Sequence, residues 1–270
     1  MERTFDRHVG SAEIERVEAS GERRPVRDEL AVEEPLEIRV DGSALAVTMR
    51  TPGEDEELAV GFLAGEGLIG GPADVVEVGP TADFAANVVE VRTRAGLRRD
   101  AAAERRFYLS SSCGVCGKGA LEHVAQFAPP APPGEPIDRA VVLAAPERAR
   151  AAQAAFERTG GLHATALFAP DGELIVLRED VGRHNAMDKA IGERLLAGAF
   201  PLPGVFACLS GRASFELVQK ASLAGLAGIV AVGAPSTLAV DLARQRHMLL
   251  CGFVRGQSFN VYAGAGRLRE

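Results

Sequence analysis

Two cysteines, Cys113 and Cys116, stand C-x-x-C in the run SSSCGVCGKG at residues 110–119, with an amine, Lys118, two positions further on. A thiolate is a nucleophile and a metal ligand, and a neighbouring cation lowers the thiol pKa from its free value of about 8.5. The three glycines of the run open backbone conformations closed to other residues. The run therefore reads as an exposed, mobile loop that presents two thiols, not as core.

Three chemistries fit such a loop. A structural zinc site needs four ligands, yet the other two cysteines, Cys208 and Cys251, stand singly in apolar stretches that read as core strands. The zinc-deaminase signature is absent too: Ser112 occupies its proline position and no His has Glu two residues later. A thioredoxin-type dithiol would open a helix, which Gly117 and Gly119 disfavour. The remaining chemistry is a nucleophilic cysteine that accepts sulfur and hands it on. Spacing alone leaves redox and sulfur transfer open.

Only three of the thirty lysines and arginines are lysine: Lys118, Lys189 and Lys220. Arginine is a fixed planar fork, whereas lysine is a compact charge with a tunable pKa. A composition that favours arginine this strongly suggests that those three positions need an amine. Lys189 closes the polar run EDVGRHNAMDK at residues 179–189, in which His184 and Asp188 share a helix face at i and i+4. With Asn185, that run reads as a lined pocket or as a solvated helix face.

A third constellation lies at the ends of three expected strands. Ser210, Gly211 and Arg212 follow the first and lead into a helix holding Lys220; Ser236 and Thr237 follow the second; Arg255, Gly256, Gln257 and Ser258 follow the third. Ligands of open α/β sheets bind beyond the carboxyl ends of strands. Helix N-termini, small hydroxyls and arginines on one rim would hold a phosphate; singly, the same residues are ordinary caps and turns.

The elements that must position these groups follow from periodicity. Strands are expected at residues 36–40 and 45–49 around the Asp41-Gly42 turn, then at 75–78, 88–91 and 107–109. A helix is expected at 54–68 after the Thr51-Pro52-Gly53 break, and only a short arm near residues 14–17. The proline-rich 128–136 stretch (APPAPPGEP) reads as an extended spacer. It divides an N-terminal α+β subdomain at 30–127, which carries the C-x-x-C loop, from an α/β subdomain at 137–265. In the second half, helices at 146–158, 184–196, 214–224 and 236–245 alternate with strands at 162–168, 174–177, 205–209, 229–232, 249–254 and 259–262. That alternation predicts a mainly parallel sheet with flanking helices.

Composition bounds the partners. A chain of 270 residues can bury a full core, and its net charge of −7, without tryptophan and with two tyrosines, argues against a nucleic-acid binder. The first residues hold no apolar signal segment and no run is long enough to span a bilayer. A cytoplasmic location is expected, where a C-x-x-C stays reduced and chemically available.

Several runs together resemble the formate dehydrogenase accessory sulfurtransferases: SSCGVCGK at 111–118, DVGRHNAMDK at 180–189, SGRASFELVQK at 210–220, APSTLA at 234–239 and GFVRG at 252–256, with EEPLEI, TPG and GFL upstream. The likeness runs from about residue 33 to residue 262. It implies a sulfur carrier that takes persulfide sulfur from a cysteine desulfurase and passes it to the molybdenum cofactor of formate dehydrogenase, a bis-molybdopterin guanine dinucleotide complex. It implies Cys113 as the persulfide residue with Cys116 assisting, and Phe253, Val254, Arg255, Gly256, Gln257 and Ser258 as the cofactor segment. It also implies a cytidine deaminase-like fold without its zinc, and a homodimer. A GDP-like ligand would suit the rim. On this reading Lys118 steadies the thiolate, Arg212, Arg255 and Lys220 clamp phosphates, and Ser210, Ser236 and Thr237 donate hydrogen bonds. His184, Asn185, Asp188 and Lys189 line the pocket. The competing class is a chaperone that binds the molybdenum cofactor or a guanine nucleotide and uses the thiols only as a redox or zinc clasp.

Overall fold

The structure, a computed structural model, describes residues 7–81, 87–98 and 129–269. The C-x-x-C loop with Cys113, Cys116 and Lys118, and the strand expected at 107–109, lie outside the described residues.

The first element is a hairpin in which β1 (Val9–Val17) pairs antiparallel with β2 (Arg23–Ala31). The sequence suggests only a short arm here, because the two strands carry few apolar residues. Cross-strand polar contacts, such as Arg23 to Glu15 at 3.0 Å and Arg27 to the Ser11 hydroxyl at 2.7 Å, accompany the ladder instead. β3 (Glu34–Val40) and β4 (Ser43–Arg50) form the expected hairpin. Asp41 and Gly42 at its turn both have positive φ. That left-handed pair is what a two-residue hairpin turn requires. With β5 (Val75–Pro80) and β6 (Val88–Thr93) they make a four-stranded sheet in the order β4-β3-β6-β5. Between β4 and β5 runs α1 (Asp55–Gly65), whose first turn carries Asp55, Glu56 and Glu57 at the positive end of its dipole.

The proline-rich stretch is not a free spacer. The Ser222 hydroxyl donates to the Pro129 carbonyl at 2.9 Å, Ala131 N–H donates to the Arg246 carbonyl at 2.8 Å, and Arg267 donates to the carbonyls of Ala131 and Pro132. After β7 (Ile137–Asp138), the Asp138 carboxylate caps α2 (Arg139–Ala152) by accepting from Ala140 N–H at 2.8 Å, which satisfies one of the helix's free donors. This cap starts the helix well before Pro146, the expected first residue, which instead lies inside it. The chain breaks at Gln153 and resumes as α3 (Ala154–Thr159).

The main sheet has six strands in the order β13-β12-β11-β10-β8-β9. They are β8 (His163–Phe168), β9 (Leu174–Asp180), β10 (Phe206–Leu209), β11 (Gly228–Ala231), β12 (Leu249–Arg255) and β13 (Ser258–Ala263). Only β10–β11 and β11–β12 are parallel; the other three pairings are antiparallel. The sheet is therefore mixed, not mainly parallel. The turns at 169–173 and 256–257 are too short for the crossover that a parallel pair demands.

Helix α2 covers one face, packing Val142, Ala145 and Ala149 against Phe168, Phe206 and Val230. The other face carries α4 (Arg183–Leu196), α5 (Phe215–Leu223) and α6 (Thr237–Gln245), together with α1. One continuous apolar cluster joins Leu36 and Ile38 of the smaller sheet to Leu58 and Leu63 of α1, Met187 and Ile191 of α4, and Leu217 of α5. β14 (Leu268–Arg269) closes the chain parallel to β7. No helix among the described residues is long and apolar enough to cross a membrane.

Candidate functional site

The carboxyl ends of β10, β11 and β12 do converge. Their three following loops are stitched side by side: Gly233 N–H donates to the Gly211 carbonyl at 3.0 Å, and Phe253 N–H donates to the Gly233 carbonyl at 3.1 Å. Ala213 N–H also donates to the Ala234 carbonyl, and Ser236 N–H to the Ala213 carbonyl. The approach is close enough to need glycine: a Cβ on Gly233 would meet the Gly211 oxygen at 3.0 Å, and one on Gly252 would meet Pro235 at 2.9 Å. Ser214 and Ser236 cap α5 and α6 at this rim. Because β8 runs antiparallel to β10 and β9, its first residue, His163, and the last of β9, Asp180, also lie at this end. The start of α4 joins them, and His184 Nε2 sits 3.4 Å from the Ser214 hydroxyl.

Arg212, Ser236, Thr237, Phe253, Arg255, Gly256, Gln257 and Ser258 are exposed here, while Ser210, Gly211 and His184 are half-buried. Phe253 has positive φ beside a register shift in the β12–β13 pairing, an irregularity that re-aims side chains. The Arg255 guanidinium lies 5.9 Å from the centre of the Phe253 ring, within cation–π range. Val254, between them, is fully buried among Ile137, Phe168 and Cys251, so its side chain belongs to the core and not to the rim.

The 180–189 run divides into two structural tasks. Asp180, fully buried, accepts from Thr51 N–H at 3.1 Å, Gly182 N–H at 2.8 Å and Asn185 Nδ2 at 3.0 Å, and pairs with Lys189 Nζ at 3.0 Å. Asn185 also donates to the Met49 carbonyl, and Lys189 to the Thr51 carbonyl. These three residues tie the 51–53 break to the main sheet. They do not present their side chains to a ligand. Asp188, one turn beyond His184, pairs with Lys220 at 3.0 Å; Lys220 also holds Glu66 at 2.9 Å and lies over the Phe62 ring. Burial pushes Asp188 up to about 6. Burial works against the Lys220 charge, but Asp188 and Glu66 more than offset it and hold that ammonium above the ordinary lysine range, as close opposite charges do. Lys220 is 4% exposed, so it is a buried tie and not a phosphate clamp.

Arg183 is one of the two ionisable groups that this run brings to the rim; the other is His184. His184 lies 2.8 Å from Glu216, and that hydrogen bond holds the Glu216 carboxyl below the ordinary carboxylate range. Two rim residues escape the sequence reading, His163 and Arg183. The sole signal for Arg183 is its place directly after Gly182 at the opening of a helix. Nothing in the sequence alone marks His163, which reaches the rim through strand pairing. Cys208 and Cys251 are core, as expected, and burial pushes both thiols up to about 12.

Comparison with known proteins gives the family. The chain is 52% identical over 258 residues to the "Sulfur carrier protein FdhD" of Anaeromyxobacter dehalogenans strain 2CP-1, covering 90% of this chain and 89% of that one. It is 49% identical over 251 residues to the protein of the same name from Streptomyces avermitilis, covering 89% of each chain. A formate dehydrogenase accessory protein from Desulfotalea psychrophila shares the fold, with a TM-score of 0.79 at 24% identity over 97% of this chain and 100% of that one. The model of the FdhD/NarQ family matches residues 31–269, and the chain belongs to that family.

Proposed function

We propose that the chain is a sulfur carrier that serves formate dehydrogenase. The Cys113 thiolate attacks the terminal sulfur of a cysteine desulfurase persulfide; that S–S bond breaks, the desulfurase leaves as a thiolate, and Cys113 becomes the persulfide. Cys116 relays or resolves, and Lys118 steadies the thiolate through its charge. For delivery, the Cys116 thiolate attacks the inner sulfur of the Cys113 persulfide; that S–S bond breaks and a Cys113–Cys116 disulfide forms. The outer sulfur leaves at the sulfide level for a molybdenum cofactor of the bis-molybdopterin guanine dinucleotide type, bound as substrate on the rim. There Arg212 and Arg255 take phosphate groups, Ser210, Ser236 and Thr237 donate hydrogen bonds, and Phe253 with residues 256–258 forms the outer wall. A GDP-like fragment would bind in the same place. The carrier works as a cytoplasmic homodimer. The strand order, a hairpin beside three parallel strands and a returning edge, is compatible with a cytidine deaminase-like plan.

The observation that carries this reading is the lacing of the three loops through Gly211, Gly233 and Phe253, which puts two exposed arginines and two capped helix N-termini on one rim. Relatives sharing about half their residues with this chain bear the sulfur-carrier name. The test is intact-mass analysis after incubation with a desulfurase and cysteine. The wild-type chain should gain one sulfur, and Cys113→Ala should gain none. No gain in the wild type, with nucleotide still bound, would replace the carrier by a cofactor-binding chaperone. In parallel, Arg255→Ala should weaken guanine nucleotide binding roughly ten-fold, the loss of a single charge-assisted contact.

A further inference from the structure

Arg183 opens α4 at the amino-terminal side of the rim. It is half-buried, and its Nε is closed to solvent with no hydrogen-bond partner among the described residues. A guanidinium nitrogen left this way is costly unless an acceptor arrives. Its charge acts on the His163 imidazole and on the Glu216 carboxylate. Burial lowers the His163 pKa, and the positive charges of Arg183 and His184 lower it further. The His163 ring stands 3.5 Å from where a Cβ on Gly211 would sit, so it lies against the loop after β10. In that loop the Ser210 Oγ accepts from Ala164 N–H at 2.9 Å, which leaves its own proton free to donate outward.

The nearby acceptors are already engaged. Asp180 is saturated by Thr51, Gly182, Asn185 and Lys189, and Glu216 is paired with His184. What remains is donor-rich: a guanidinium, an imidazole and a hydroxyl, beside a helix of fourteen residues whose N-cap, Gly182, supplies no side-chain acceptor.

We infer that Arg183, His163 and Ser210 form a binding site for a phosphate group, on the opposite flank of the rim from Arg255. This rests on the rim being a ligand site and adds to it a second anchoring point, suited to a ligand with two separated anionic ends or to a diphosphate. The guanidinium supplies fixed charge and directed donors, the imidazole a donor that strengthens when protonated, and the serine a neutral donor that fixes orientation.

Titration calorimetry of the full chain with pyrophosphate, GDP and guanosine tests it. Pyrophosphate should bind the wild type and bind Arg183→Gln at least ten-fold more weakly, with His163→Gln losing a smaller factor. A melt followed by circular dichroism establishes that each variant is folded. GDP weakened by the same factor as pyrophosphate, with guanosine indifferent, assigns the phosphate to a nucleotide; pyrophosphate weakened alone assigns the site to the free anion. As an independent readout, saturating pyrophosphate should raise the pKa of the His163 imidazole in NMR titration, and should leave it unmoved in Arg183→Gln. Equal pyrophosphate affinity in wild type, Arg183→Gln and His163→Gln, or no binding by the wild type, overturns the site. Persulfide loading of the wild type is measured alongside: its absence beside intact pyrophosphate binding removes the carrier reading and leaves the phosphate site standing.

Discussion

Gly61 and Gly192 face one another where α1 crosses α4. A Cβ built on Gly61 would fall 1.8 Å from the Asp188 carbonyl oxygen, and one built on Gly192 would fall 1.8 Å from the Glu57 carbonyl oxygen. The two backbones therefore touch without intervening side chains. This crossing joins the part of the chain that leads into the C-x-x-C stretch to the part that builds the rim.

Alanine at either glycine has no room except by driving the helices apart. Overpacking of this kind costs about 1–3 kcal/mol, and contact with backbone, which cannot rotate away, puts it at the upper end. Gly61→Ala and Gly192→Ala should each lower the melting temperature by several degrees. The double variant should lose less than the sum, because one separation of the helices relieves both clashes. A melt unchanged by either substitution would show that the crossing is looser than described.

The ends of α1 are held separately. Glu54 and Glu66 flank the helix; Lys189 reaches Glu54 at 3.6 Å and Asp180 at 3.0 Å, and Lys220 reaches Glu66 at 2.9 Å. Breaking a buried pair costs more than the pair contributes, because the stranded charge remains. Lys189→Met leaves Asp180 ionised with only neutral donors, and denaturant unfolding should register a loss of about 3 kcal/mol. Adding Asp180→Asn should recover part of that loss. A double variant worse than the single one would assign Asp180 a role beyond this pairing.

These ties explain what could be read in advance. The three lysines suggest that an amine is needed at each position, and for Lys189 and Lys220 the need is a buried pairing, not ligand contact. Lys118 lies outside the described residues. Periodicity gives no way to tell a polar residue bound inside the protein from one facing a ligand, since both interrupt an apolar pattern. Asn185, Asp188 and Lys189 therefore read as pocket lining and lie in the interior. The rim was legible because strand ends followed by Ser or Gly are local signals. His163 was not, because its place depends on β8 pairing with β10. The mixed sheet was not legible: the alternation of helices and strands reads as mainly parallel, whereas the short turn at 169–173 makes β8 and β9 an antiparallel pair.

Asp188 gives a pH signature. Burial raises its folded pKa to about 6, above the ordinary value of 3.8. The native state thus holds this proton more tightly than the unfolded chain does. Its contribution is fully present below about pH 4 and is lost as pH rises through about 6. Asparagine at this position cannot ionise, so Asp188→Asn should fare worst relative to wild type near pH 4. It should recover on the order of 2 kcal/mol by pH 7. Urea titrations of both proteins at pH 4, 5, 6 and 7 measure this directly. A difference that stays constant across the series would mean that Lys220 keeps the Asp188 carboxylate ionised throughout.

The two core cysteines make the sulfur chemistry traceable. Cys208 and Cys251 are both buried. With thiols pushed up to about 12, they offer almost no thiolate, the reactive form, at pH 8. Iodoacetamide at pH 8 should therefore leave both unmodified in the native chain and reach them only in urea. The same selectivity applies to sulfur: a desulfurase cannot load a thiol that is neither exposed nor ionised, so Cys208→Ala and Cys251→Ala should gain sulfur as the wild type does. Peptide mapping after trapping the persulfide provides the check. Sulfur or alkyl label on residue 208 or 251 in the folded protein would mean that the β10–β12 core opens on the timescale of the reaction, and that a carrier cysteine can be sheltered inside the sheet.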